Sequence, residues 1–218
     1  ETWGNNARNT WAGLFGAVFH LTHRKFDVRF NILTARFDEQ SSSNTDLLYT
    51  ALETSIGLEH SSYGYSDQDK LDGEWPTLTN LDVQEAKRSA WRFFFTRFKH
   101  TDDRSRLVSA LSRNLQSSVR WGLASDVFSA TADIVDELNE FQRSEIRDSL
   151  NNIRRSLPVD SVDETYYAKP FAALVDRIAP TQFRDNMYDI VGSWHPAGAS
   201  ADPDKIEESI HILDGQLV

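Results

Sequence analysis

Apolar residues recur along this chain at i, i+4, i+7 and i+11, the signature of one buried face on an α-helix. Phe26, Phe30, Leu33 and Phe37 follow that spacing, as do Ile146, Leu150, Ile153 and Leu157. Tyr167, Phe171, Leu174 and Ile178 make a further set, then Phe183, Met187, Ile190 and Trp194, and last Ile206, Ile210, Leu213 and Leu217. Trp91, Phe94, Phe95 and Phe98 form a wider stripe of the same kind. No comparable run alternates with the period of two expected of a half-buried strand. The predicted class is therefore all-α, built from antiparallel helix pairs.

Helical patterns start near Val83, Asp126 and Tyr166 or Tyr167, each followed by a second helix after a short turn. Starts about 40 residues apart fit a short HEAT-like stacked array, and three ordinary helix pairs in an irregular bundle would show the same period. Ser125, Thr181 and Asp202 are expected N-caps, their side-chain oxygens accepting from free amides of the first turn. Pro170 and Pro203 suit first-turn positions, where no amide hydrogen is missed. "NNIRRSLPVD" should end a helix with positive charge in its last turn.

The stretch 60–80 is rich in Gly, Ser, Asp and Tyr and has no period. A loop of that length is usually functional or a boundary. The expected organisation is an N-terminal helical part over 1–59, this loop over 60–80, and a helix-pair array over 81–218. Within the loop, Tyr63, Tyr65 and Trp75 are candidates for partner contact, because rigid rings bury area at low entropic cost. Asp67, Asp69 and Asp72 suggest calcium, but an EF-hand needs an oxygen ligand at its fifth position and Gly at its sixth. Leu71 and Asp72 stand there, so the register is wrong.

His20, His23 and Asp27 fall at i, i+3 and i+7, a weak candidate half-site for a metal. Arg24 and Lys25 beside them repel a cation. The chain has no cysteine, which excludes disulfides, thiolate zinc and a cysteine nucleophile. Phosphate loop, dinucleotide fingerprint and nucleophile elbow are all missing. No cofactor is expected, and an enzyme is the less favoured class. No window reaches the roughly 18 apolar residues of a membrane span. The opening "ETWGNN" lacks Met and a signal-peptide layout, so the expectation is a cytoplasmic segment of a longer protein.

Charge is distributed unevenly. The net charge is −10, with Asp over Glu 21 to 12 and Arg over Lys 17 to 6. Acidity with little Lys suits a protein that must stay hydrated in strong salt, though a GC-rich genome gives the same Arg bias. Residues 87–120 alone carry 9 basic and 2 acidic groups. Arg88, Arg92 and Lys99 lie away from the apolar stripe of one helix, and Arg106, Arg113 and Arg120 are seven apart on the next. Such rows can grip phosphate or carboxylate groups. They can equally dock on acidic neighbours within the chain.

These features favour a helical protein-interaction or scaffold module, bound to a protein partner or to other domains of the same polypeptide. The alternative is a nucleic-acid-binding domain that uses the basic surface of 87–120.

Overall fold

The computed structural model describes residues 3–18, 24–39, 45–57, 78–101, 104–156 and 166–179. They form α1 (Trp3–Gly13), α2 (Phe26–Asp38), α3 (Thr45–Ile56), α4 (Asn80–Lys99), α5 (Arg104–Arg120), α6 (Ala124–Ile134), α7 (Glu140–Ser156) and α8 (Ala168–Ile178). A 3₁₀ turn, Val135–Glu137, follows α6 directly. Among the described residues there is no strand. The all-α expectation holds.

Local chemistry accounts for several helix ends. Thr79 opens α4 with a capping box: its hydroxyl accepts from the Asp82 amide at 3.2 Å, and the Asp82 carboxylate accepts from the Thr79 amide at 2.8 Å. α5 closes at Gly122, whose φ of +70° lies in the left-handed region. There the Leu123 amide bonds the Ser118 carbonyl at 2.7 Å and the Gly122 amide bonds that of Val119 at 3.2 Å. Arg154 and Arg155 occupy the last turn of α7, and Pro170 sits in the first turn of α8, both as expected.

Ser125 corrects the expectation made for it. It lies inside α6, whose N-cap is Leu123 without a side-chain cap. The Ala124 amide instead donates to the Tyr166 hydroxyl at 3.4 Å, so a residue distant in sequence takes the capping role. Thr181, Asp202 and Pro203 lie outside the described residues.

Register follows from side-chain bonds between helices. Gln142 donates to Ser105 at 3.3 Å, Ser109 to Glu145 at 3.0 Å, and Ser149 to the Ser112 carbonyl at 2.6 Å. Partner numbers rise together, so α5 and α7 run parallel. Phe128 packs on Tyr167 and Phe171, and Arg177 reaches Asp136 at 2.6 Å, which makes α6 and α8 parallel too. α1 packs on α3, α3 on α5 and α5 on α7, while α2 touches α4 and α6 packs on α8. α2 and α4 also pack on α3, α6 on α5, and α8 on α7. One buried apolar cluster runs between the two sets from Phe15 to Ile178, continuous across α3 and α4.

Three buried cations close helix C-termini from other helices. Arg29 donates to the carbonyls of Leu14 and Gly16 just beyond α1. Lys87, with no exposed surface, donates to the Gly57 carbonyl at 2.7 Å beyond α3. Arg147 donates to the Ile178 carbonyl at 3.0 Å at the end of α8 and pairs with Glu140 at 2.6 Å. Helix C-termini carry partial negative charge and unpaired carbonyls, so a cation there answers both needs.

Candidate interaction groove between α4 and α6

The basic residues of α4 and α5 point to different neighbours. On α5, Arg106 pairs with Asp46 of α3, and Arg113 pairs with Glu53 of α3 at 2.9 Å. Both pairs step by seven residues, so parallel helices bring an acidic stripe against the basic one. Arg8 of α1 joins Asp46 at 2.5 Å. The Arg106 hydrogen bond, with the positive charges of Arg106 and Arg8, holds the Asp46 carboxyl below the ordinary carboxylate range. Arg106 also donates to the Asp46 main-chain carbonyl at 3.0 Å and lies 5.1 Å from the Tyr49 ring centre. Arg120 is exposed at the end of α5 and makes no ion pair among the described residues.

Arg88, Arg92 and Lys99 instead line a groove of about 610 Å³ between α4 and α6. Its α4 wall carries these three cations together with Thr96 and His100. Its α6 wall is short: Ser125, Ser129 and Ala130, punctuated by Asp126 and Asp133. Trp91, Phe95, Leu123 and Val127 give it apolar surface.

Two contacts tie the walls at one end. Arg88 lies 3.6 Å from Asp126, and Gln84 donates to the Trp121 carbonyl at 3.2 Å. Further along, Arg92 and Lys99 are exposed and have no ion-pair partner among the described residues. Trp91 is held by rings on its own helix, edge-on to Phe94 at 5.4 Å and stacked on Phe95 at 5.9 Å. Its buried indole N–H has no hydrogen-bond partner among the described residues, an unusual state for a buried donor.

Chain comparisons add no precedent. No family model, curated protein or solved structure matches this chain.

The remaining predicted residues separate as follows. Asp27 lies on α2 and lines a second, smaller groove with Lys25, Phe30, Asp82 and Glu85, about 450 Å³ in volume. His20 and His23 lie outside the described residues, as do Tyr63, Tyr65, Trp75, Asp67, Asp69 and Asp72. Among the described residues no three His, Asp or Glu side chains are placed to hold a metal ion. Nor is any helix there long and apolar enough to cross a membrane.

Sequence reasoning passed over Asp46, Glu53, Lys87 and the α6 wall. The seven-residue spacing of Asp46 and Glu53 was a usable signal, because it equals that of Arg106 and Arg113. Lys87 carried none: its partner carbonyl is thirty residues away in the chain.

Proposed function

We propose that this chain is a helical protein-interaction module, and that the α4–α6 groove is its recognition surface. The observation that carries the reading is the charge on the α4 wall. Arg92 and Lys99 stand exposed beside aromatic surface and without ion pairs among the described residues, whereas Arg106 and Arg113 are neutralised by α3. A polyphosphate backbone favours a continuous row of free cations. Arginines divided between an internal interface and a narrow groove suit a folded or peptide partner better. Parallel contacts within α5–α7 and α6–α8 are also what stacked helix pairs would produce, and such arrays bind through extended groove-bearing faces. The acidic, Lys-poor surface supports work in concentrated salt.

A photo-crosslinking amino acid at Thr96, in the groove, should trap protein partners in an extract of the source cells. The same group at Gln116, exposed on α5, should not. Equal trapping at both positions would refute the surface assignment. Salt-sensitive binding to single- or double-stranded nucleic acid, lost on Arg92→Glu, would favour the nucleic-acid reading instead.

A further inference from the structure

We infer that the α4–α6 groove is a docking site for residues 202–218 of this same chain, which lie outside the described residues. This deepens the interaction-module reading, because the segment would compete with an external partner for the same groove; the intramolecular crosslinks described below read its docking with no partner present. Ile206, Ile210, Leu213 and Leu217 share one helical face and would lie on the groove's apolar surface. Glu207 and Asp214 fall on one flank of that face, and Lys205, Ser209 and Gln216 on the other. The groove has the matching polarity, with Arg92 and Lys99 on its α4 wall and Asp126 and Asp133 on its α6 wall.

Spacing agrees as well. Glu207 and Asp214 are seven residues apart, as are Arg92 and Lys99. The molecule already uses that match once, where Asp46 and Glu53 meet Arg106 and Arg113.

Handedness selects a direction. Viewed from the N-terminus, Arg88, Arg92, Phe95 and Lys99 lie clockwise of the buried α4 face formed by Val83, Lys87, Trp91, Phe94 and Phe98. Glu207 and Asp214 lie clockwise of their own apolar stripe. Two helices resting on one floor meet by their clockwise flanks only when antiparallel. Glu207 then faces Lys99, Asp214 faces Arg92, and the segment enters at the Lys99 end. The Arg177–Asp136 pair places the end of α8 beside the end of α6, so the chain leaves α8 at that same end of the groove. The residues between Ala179 and Asp202, extended, span several tens of ångströms, enough to make the link.

The cysteine-free chain allows a direct test with engineered pairs. Ala130→Cys with Leu213→Cys, and separately Ser129→Cys with Gln216→Cys, should form intramolecular disulfides in the 218-residue chain under mild oxidation. The rate should exceed that of a Gln116→Cys and Leu213→Cys control by about tenfold, since a disulfide needs β-carbons roughly 4 Å apart. Glu207→Lys with Asp214→Lys should slow the groove crosslink several-fold, and adding Arg92→Glu with Lys99→Glu should restore it. Equal rates for groove and control pairs, or indifference to charge reversal, would overturn the inference. So would crosslinks that form only between chains and scale with protein concentration. Unchanged circular dichroism in each variant separates lost docking from lost fold.

Discussion

Arg106→Glu is the most informative single change on α5, because it separates an internally paired arginine from one with no ion pair among the described residues. Arg106 shares charge with Asp46 across half-exposed side chains, a setting worth about 0.5–1 kcal/mol. Its hydrogen bond to the Asp46 carbonyl adds about 1 kcal/mol, and its position over Tyr49 adds roughly 0.5–1 kcal/mol. Glutamate would lose all three and repel Asp46. The three losses sum to about 2–3 kcal/mol; sharing one side chain lowers that figure and the new repulsion raises it again, so the expected cost stays about 2–3 kcal/mol. Arg113, 62% exposed with Glu53 as its ion-pair partner, should cost only about 0.5–1 kcal/mol when reversed. Arg92→Glu, with no ion-pair partner among the described residues, should stay within about 0.5 kcal/mol of the parent protein. Urea denaturation followed by the helical circular-dichroism signal resolves these differences. Combining Asp46→Arg with Arg106→Asp should recover part of the loss, and high salt should shrink that recovery. If Arg106→Glu and Arg92→Glu proved equally neutral, the α3–α5 pairing would have no energetic content and the α5 stripe would again be a free surface. A 2–3 kcal/mol loss would also mean that diminished binding by Arg106→Glu reports instability and not a lost contact.

Two further outcomes follow from the same contacts. Lys87→Met should destabilise by about 1–3 kcal/mol in urea, since it strands the Gly57 carbonyl while relieving the burial of a charge; a more stable variant would show that desolvation outweighs the bond. The depressed Asp46 pKa makes a contribution that is fully present above the unfolded carboxylate value of about 3.9 and is lost as pH falls through the folded value. Acid titration of stability should therefore be shallower in Asp46→Asn below about pH 4, and an unchanged slope would exclude Asp46 as a contributor.

Much of the helical framework was legible from short-range pattern. The stripes Phe26–Phe37, Ile146–Ile153 and Phe171–Ile178 are buried as their spacing required, because a helix face is set by residues three and four apart. Basic last turns and the first-turn proline were legible for the same reason. Ser125 was misread because a cap is a competition for one amide, and the winning group, Tyr166, comes from the turn before α8, over forty residues away in the chain.

By itself the amino-acid order determined the helical class, the apolar faces and the position of a basic segment between acidic flanks. Which cations are neutralised was decided only in three dimensions. Parallel packing of α5 on α3 matched two seven-residue charge stripes, while Arg92 and Lys99 line the groove beside Trp91 with no ion pair among the described residues. Coulomb energy depends on separations of a few ångströms, and those separations arise from which helices become neighbours. Spacing along one helix sets its faces, but the opposite charge arrives from a residue dozens of positions away.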